Sequence, residues 1–334
     1  MWRYLGKRLL AFIPLLFGVI FLTFVIIRLI PGNPAYRLAG TNANESVVAA
    51  ISKRMGLDKP ITTQFVIFLG GLVKGDFGLS WNTSNPVVED LKERFPATLE
   101  LITIALVNCI FFGLLLGSIA ALRPKGVISR IATGYGTIAG AIADFWIGLM
   151  LIFCFYFLLK IAPAPIGRIG ILTAPPARIT GSLLIDSVLA GNWTALGDAL
   201  KHLLLPIATL TICFTAPIMK MARSSFLEIL ESDFIGYARV IGLPKRTIAR
   251  YALRNALPPV VTMIGYLYGF LLGGAVLVET VFAWGGLGQY VTQGVANKDY
   301  AAIQGFMVVA GVFSMLVYLA VDLVHMAIDP RIRM

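Results

Sequence analysis

The stretch LLAFIPLLFGVIFLTFVIIRLI (Leu9–Ile30) decides the fold class, because it is apolar almost throughout and carries a single charged residue, Arg28. A helix of about 20 mostly apolar residues is long enough to cross the hydrocarbon core of a bilayer. Basic residues precede the stretch, as in a signal peptide, namely Arg3, Lys7 and Arg8. The apolar core of a signal peptide is shorter, and no small-residue cleavage site precedes Pro31, so we expect an uncleaved membrane span.

Five further apolar runs of similar length follow along the chain, at Leu99–Leu122, Ile138–Leu159, Leu203–Met221, Pro259–Val281 and Ile303–Ala327. Of the 334 residues, 58% are apolar and only 13% are charged, whereas soluble domains have about 25% charged residues. The excess apolar surface must face lipid or other apolar helices. We therefore predict an all-α membrane protein with six transmembrane helices.

The distribution of Lys and Arg predicts how the spans are oriented. With the N-terminus in the cytosol, more than half of the 28 basic residues fall in the cytosolic segments, which are residues 1–8, 123–137, 220–258 and 328–334. The acidic residues of these segments are Glu228, Glu231, Asp233 and Asp329, so the formal net charge of +11 falls on the cytosolic side. This pattern explains the charge without nucleic acid, and it predicts that both termini are cytosolic.

The outer segments between the spans differ in composition. Residues 31–97 are numerous enough for a small folded lobe, and Ile61–Val73 has the apolar periodicity of a helix. Lys160–His202 is rich in Pro and Gly, so we expect irregular structure with one helix near Gly181–Ala190. We divide the chain into an N-terminal segment with the first span (1–30), an outer lobe (31–97) and a five-helix core (98–334).

The cytosolic segment between the fourth and fifth spans, residues 223–258, contains few helix breakers before Gly242. Its pattern predicts a helix, a turn at Gly242-Leu243-Pro244 and a second helix. A tether between two spans does not need this much structure. The segment is therefore expected to contact another protein.

The sequence lacks the motifs of several kinds of catalytic and metal-binding sites. No GxxxxGK[ST] phosphate loop is present, which excludes ATP hydrolysis of the P-loop type. His202 and His325 are far apart and the three Cys residues lack CxxC spacing, so we predict no enzyme, no catalytic residue, no metal site and no disulfide framework. Gly113 and Gly117 form a GxxxG in the second span, which permits close helix packing.

Ionisable residues inside apolar runs are candidates for function, because a charge in the bilayer is costly. Asp144 lies beside Trp146 in the third span, and Glu279 lies near the outer end of the fifth. We take Asp144, Trp146 and Glu279 as candidates for a polar translocation path. The alternative is that Asp144, Glu279 and Asp322 of the sixth span pair with buried donors and hold helices together.

Several segments occur in the same order, and at the same membrane faces, as in one protein family. They are FLTFVIIRLIPGNPA (Phe21–Ala35), GLDKPITTQF (Gly56–Phe65), KGDFGLSW (Lys74–Trp81), FPATLEL (Phe95–Leu101), ARSSFLEILESDFIGYARVIGLPKRTIARYALRNALPPVVT (Ala222–Thr262), VETVFAWGGLGQYV (Val278–Val291) and VDLVHMAIDPRIR (Val321–Arg333). Through them the chain resembles, almost end to end, the inner-membrane permease subunits of bacterial ABC importers of the dipeptide, oligopeptide and nickel class.

The resemblance implies the type I ABC importer permease fold, with a periplasmic lobe after the first helix and a cytosolic coupling helix. The loop Ala222–Thr262 is similar to the peptide-permease version of the EAA loop, which docks on an ATPase subunit. It departs from the general pattern at Gly236 and Tyr237, which stand where Glu and the first Ala would fall. The residues implied to contact the ATPase are Glu228, Asp233, Tyr237, Ala238, Arg239, Gly242 and Leu243.

The resemblance further implies a permease that moves short peptides or related small solutes into the cytoplasm by alternating access. The implied partners are a second, homologous permease subunit, two cytosolic ABC ATPase subunits that bind ATP and Mg, a periplasmic or extracellular substrate-binding protein and membrane lipid. The subunit is expected to hold no cofactor of its own and to lie in the bacterial inner membrane. Nickel chelates, opines and oligosaccharides stay open as substrates, and an ion-driven secondary transporter stays open as the alternative function.

Overall fold

The computed structural model describes residues 2–29, 35, 44–54 and 56–328. Residues 30–34, which belong to the family-like segment Phe21–Ala35, and the C-terminal residues Asp329, Arg331 and Arg333 lie outside the described residues. Within the described ranges the chain forms helices, loops and one antiparallel bridge between Leu79 and Pro86. The prediction of an all-α protein is therefore confirmed for this part of the chain.

The helices follow one another in this order: α1 (Trp2–Leu29), α2 (Glu45–Arg54), α3 (Ile61–Val73), α4 (Val87–Leu122), α5 (Val127–Ile138), α6 (Asp144–Leu151), α7 (Leu183–Leu189), α8 (Trp193–Leu230), α9 (Asp233–Val240), α10 (Lys245–Gly274), α11 (Val276–Val281), α12 (Leu287–Asn297) and α13 (Tyr300–Ile328). A wider, π-helical segment continues α6 over Ile152–Leu158. The helices predicted at Ile61–Val73 and near Gly181–Ala190 correspond to α3 and α7.

Five helical stretches of the described chain are long and apolar enough to cross a membrane, namely Arg8–Leu29, Val87–Leu122, Trp193–Leu230, Lys245–Val281 and Tyr300–Ala327. They correspond to five of the six predicted spans. The third predicted span, Ile138–Leu159, is shorter than predicted, because α5 ends at Ile138 and the next helix begins only at Asp144. The remaining apolar helix, Asp144–Leu158, is shorter. Hydropathy did not reveal the break because the residues between the two helices are apolar or small.

One compact unit of the chain comprises residues 1–97 and 285–313. Within it α3 lies along α1, because Phe65 contacts the rings of Phe17, Phe21 and Phe24 at centroid distances of 5.9, 5.4 and 5.0 Å. This contact brings α3 beside the apolar part of α1.

A second compact unit comprises residues 98–284 and 314–334, of which residues up to 328 are described, and it is built around α8. This helix packs most extensively against α10, and also against α5, α6 and α7. A Cβ atom at Gly113 would lie 2.7 Å from Ile218 Cγ2, and one at Gly117 would lie 2.7 Å from the carbonyl oxygen of Met219. The two glycines of the GxxxG thus permit the close approach of α4 to α8, as predicted from the sequence.

Candidate functional site

The segment between α8 and α10 forms the predicted helix, turn and helix. α9 begins directly after α8 ends, and the Ser232 hydroxyl between them donates a hydrogen bond to the Ile229 carbonyl at 2.6 Å. α9 ends at Val240, and two residues further on Gly242 has a φ of 78°, in the left-handed region that favours glycine. The Leu243 amide then donates to the Ala238 carbonyl at 3.1 Å. This turn reverses the chain and leads into α10.

One side of α9 is anchored in a small apolar core. Ile235 and Ala238, three residues apart and therefore on the same face of the helix, are 0% and 3% exposed. They pack with Phe226 of α8, Ala252 of α10 and further buried residues of a cluster that also includes Ala121, Ile248 and Ala256. Burial of these side chains holds α9 against both of its neighbouring long helices.

The opposite side of α9 is apolar and exposed. The side chains of Tyr237 and Val240 are 68% and 84% exposed, and Phe234 and Ile241 are about half exposed. Phe234, Tyr237 and Ile241 share one helix face by their spacing. A short helix with one buried and one exposed apolar face is typical of an element that docks into a groove of another protein.

The predicted ATPase-contacting residues differ in their exposure. Ala238 is buried and Leu243 is half-buried. The other predicted residues are exposed, namely Glu228, Asp233, Tyr237, Arg239 and Gly242. The Arg239 guanidinium also donates to the Leu230 carbonyl at 3.2 Å, which braces the end of α8. Reasoning from sequence missed Phe234, Val240 and Ile241 as exposed apolar residues. The helical spacing of Phe234, Tyr237 and Ile241 is the signal that could have identified this face.

The three candidates for a polar path lie in different environments. Asp144 is the first residue of α6, is partly exposed, and accepts a hydrogen bond from the Phe145 amide at 2.7 Å. It lies within electrostatic range of the Cys213 thiol on α8. Trp146 is 48% exposed, whereas Glu279 of α11 is fully buried. The side chains of Asp144 and Trp146 are therefore accessible at the surface of the subunit, whereas Glu279 belongs to its packed interior.

A polar network between the segment before α7 and the middle of α4 was not predicted from the sequence. Arg168 pairs with Glu100 at 2.8 Å, and the Ser182 hydroxyl donates to the same carboxylate oxygen at 2.6 Å. The Arg168 guanidinium also lies 6.0 Å from the ring centre of Trp284. The network ties the long outer segment to the start of the transmembrane part of α4. Its members are up to 184 residues apart in sequence, so no local pattern reveals it.

The same outer segment is folded around a second carboxylate, that of Asp186. Its oxygens accept hydrogen bonds from the amides of Ile179, Thr180 and Gly181 and from the Thr180 hydroxyl, at 2.7–3.2 Å. Burial alone would raise the pKa of Asp186, but these four hydrogen bonds outweigh it and lower the pKa below the ordinary value. The side chain is therefore ionised and fixes the loop that precedes α7.

Two family models match this chain. The model of the family described as binding-protein-dependent transport system inner membrane component matches residues 113–334. The model of the N-terminal region of such components matches residues 1–102. The chain belongs to this family. The permease is thus covered almost completely by the two models, including every residue of the α9 segment.

Relatives of the permease are peptide transporters. A probable D,D-dipeptide transport system permease of Escherichia coli K12 is 40% identical over 99% of this chain and 97% of the relative. A di/tripeptide transport system permease of Pseudomonas aeruginosa is 38% identical over 100% and 99% of the two chains. A dipeptide transport system permease of Escherichia coli K12 is 36% identical over the same shares.

These matches confirm the resemblance stated from the sequence motifs. The permease is a multi-pass inner-membrane subunit of the dipeptide class of ABC importers, and it works with a substrate-binding protein and with ATPase subunits. Its role is transport, as in its relatives. Within the described residues, no group of three or more His, Cys, Asp or Glu side chains could hold a metal ion.

Proposed function

We propose that the permease carries short peptides into the cytoplasm by ATP-driven alternating access, as one of two related permease subunits, and that α9 receives force from an ATPase subunit. The observation that carries this proposal is the two-sided burial of α9, with Ile235 and Ala238 inside and Tyr237 and Val240 outside. A partner bound to the exposed face of α9 would move the helix together with the apolar core beneath it.

The packing around α9 supports transmission of such a movement. The cluster beneath α9 joins side chains of α8, such as Phe226, to side chains of α10, such as Ala252. These two helices also share the most extensive contact in their unit. Because close-packed interiors transmit displacement rather than absorb it, a push on α9 would tilt α8 and α10 together.

The proposed topology has six crossings and cytosolic termini. Asp144–Leu158 would be the third crossing, shortened because its helix starts at Asp144. The positive-inside distribution of Lys and Arg supports this orientation, since it places the α9 segment in the cytosol, where the ATPases reside. The same orientation directs the Glu100–Arg168 network and the Asp186 loop to the periplasmic side, where the substrate-binding protein would dock.

Short peptides are the proposed substrates, because the relatives at 36–40% identity are named for dipeptides and tripeptides. Asp144 and Trp146 would line the pathway, since both are accessible in α6. An ionised carboxylate there favours the protonated amine of a peptide over an anionic solute.

The coupling role can be tested with substitutions on the exposed face of α9. Tyr237→Ala and Val240→Ala remove exposed side chains, so the assembled importer should keep its thermal stability and lose peptide-stimulated ATPase activity and uptake. Leu189→Ala, at an exposed apolar position of α7, is the matched control and should change neither activity. Charge reversal of Asp233 together with Arg239 extends the test. If ATPase co-purification and uptake survive all of these changes, α9 is not the coupling element.

A further inference from the structure

A cavity of about 370 Å³ lies in the first compact unit, between the C-terminal end of α1, α3 and the start of α13. Its walls include the cations Arg28, Lys53 and Lys59 and the aromatic side chains Trp81 and Tyr300. One carboxylate, that of Asp76, also lines the cavity, and its Oδ1 atom accepts a hydrogen bond from the Gly78 amide at 2.8 Å. The lining therefore carries a net positive charge.

Two buried hydrogen-bond donors of the cavity have no acceptor among the described residues. The Arg28 guanidinium is positioned by Gln64, which accepts from Nε at 2.9 Å, but the buried Nη1 atom of Arg28 has no partner. Gln304 is 5% exposed, and its Nε2 atom is also without a partner. Leaving buried donors unmet is unfavourable, so the cavity is suited to a ligand that brings acceptor oxygens.

The orientation of these donors is fixed by their neighbours. Gln64 donates through Nε2 to the Lys59 carbonyl at 2.8 Å, which directs its Oε1 atom toward Arg28. The Arg28 guanidinium also lies over the ring of Phe24 at 3.5 Å from the centroid. A site whose charged donor is held in place before binding loses little side-chain entropy on binding.

The cavity lies beside the ends of two candidate membrane spans. Arg28 is one residue from the end of the membrane-crossing stretch Arg8–Leu29, and Tyr300 is the first residue of the stretch Tyr300–Ala327. The ring of Trp81 contacts that of Tyr300 at 5.4 Å, and such amphipathic rings concentrate at the membrane–water interface.

The outer face of α3 extends this site into the hydrocarbon region. Phe65 of α3 packs on Phe17 and Phe21, which lie well inside the apolar part of α1. Ile61, Val66 and Ile67 on the same helix are 54–66% exposed. A helix that lies beside a membrane span and exposes large apolar side chains provides a surface for acyl chains.

We propose that this cavity binds the phosphate group of a phospholipid in the leaflet at the C-terminal end of α1, with the acyl chains along α3. The phosphate oxygens accept from Arg28 Nη1 and Gln304 Nε2, and Lys53 and Lys59 add attraction at the rim. Location at the ends of two spans and the exposed apolar face of α3 favour a lipid over a soluble anion. The site is independent of how the permease couples to ATP.

The test uses Trp81 as a reporter inside the cavity. The full-length permease with its partner subunits is purified in dodecyl maltoside, which contains no phosphate, and is titrated with phosphatidylglycerol brominated on its acyl chains. Subtraction of the same titration on Trp81→Phe isolates the Trp81 signal from the four other tryptophans of the chain. We expect saturable quenching of Trp81.

Variants then separate the site from general contact with lipid. Gln304→Leu removes a buried donor and should raise the half-quenching concentration by about tenfold, since hydrogen bonds to charged groups are among the stronger ones. Lys53→Gln, at an exposed rim position, cannot act by unfolding the protein and should raise it by about two- to fivefold. Lys74→Gln, also exposed in this segment but outside the cavity, should leave it unchanged.

Several results would overturn the proposal. Equal effects of Lys53→Gln and Lys74→Gln, or equal quenching by a brominated alkyl maltoside, would mean that lipid contacts Trp81 without a specific site. Relief of quenching by soluble glycerol phosphate in the same concentration range as the lipid would assign the cavity to a free phosphate. Relief by an acidic peptide but not by glycerol phosphate would assign it to a carboxylate of a protein partner.

Discussion

Replacement of Gly117 by alanine adds one methyl group at the closest approach of α4 to α8. Its Cβ would lie 2.7 Å from the Met219 carbonyl oxygen, 2.8 Å from the Ala222 Cβ and 3.2 Å from the Arg223 amide nitrogen. These atoms belong to the backbone of α8 or are attached to it directly. They cannot rotate away, so the two helices must move apart.

The magnitude follows from two opposing effects. Overpacking of a close contact costs about 1–3 kcal/mol, and the better helix propensity of alanine offsets up to about 1 kcal/mol of this cost. We therefore expect a net destabilisation of about 1–2 kcal/mol for Gly117→Ala. Gly197→Ala is the matched control on α8, because a Cβ there meets no atom within 4 Å. That variant should be stabilised by about 0.5–1 kcal/mol.

The assay is the apparent Tm of the purified importer, measured as the fraction of monodisperse complex that survives heating. At about 2–4 °C per kcal/mol, Gly117→Ala should lower the apparent Tm by several degrees, while Gly197→Ala keeps or raises it. Gly117 lies one turn from Ala121, a member of the cluster beneath α9, so peptide-stimulated ATPase activity should fall as well. Equal apparent Tm values for the two variants would refute the close-packing argument.

Three further predictions concern carboxylates. Hydrogen bonds lower the pKa of Asp186, so hydrogen exchange of residues 160–192 should be slowest above the ordinary carboxyl pKa of about 3.9. This protection should be lost as the pH falls through the lower folded-state pKa. Asp186→Asn should show weaker protection at neutral pH and no such acid transition. Glu100→Gln and Arg168→Met should each destabilise the permease by about 3 kcal/mol and the double variant by less than their sum, and additive losses of apparent stability would contradict the ion pair. Asp144→Asn should reduce uptake of peptides with a free amino terminus more than of N-acetylated ones, and an unchanged substrate preference would remove Asp144 from the path.

Much of the fold could be predicted from the sequence because it depends on local patterns. Five long spans follow from apolar runs, and the turn at Gly242 follows from the need for a left-handed backbone conformation. The GxxxG spacing of Gly113 and Gly117 indicated that close helix packing was possible there, and the structure contains such a contact. In each case the signal lies within a few turns of one segment.

The rest depends on contacts between distant segments or on breaks that composition does not mark. Residues between α5 and α6 are apolar or small, so hydropathy started the third span before the helix begins at Asp144. Glu100 and Arg168 meet across 68 positions of sequence, and Glu279 became fully buried only because of the tertiary packing around α11. The split of α9 into a buried and an exposed apolar face likewise requires knowledge of which neighbours cover Ile235 and Ala238.

Site-specific photocrosslinking at Val240 tests most directly whether α9 docks on an ATPase. This side chain is 84% exposed at the end of the helix, so a photoreactive amino acid there should leave the fold intact. Illumination of the assembled importer is expected to link position 240 to an ATPase subunit, with a yield that changes when ATP is bound. The same amino acid at Leu189, an exposed position of α7, should give no such product. A fully active importer without a crosslink at position 240, or with equal crosslinking at both positions, would contradict the coupling role of α9.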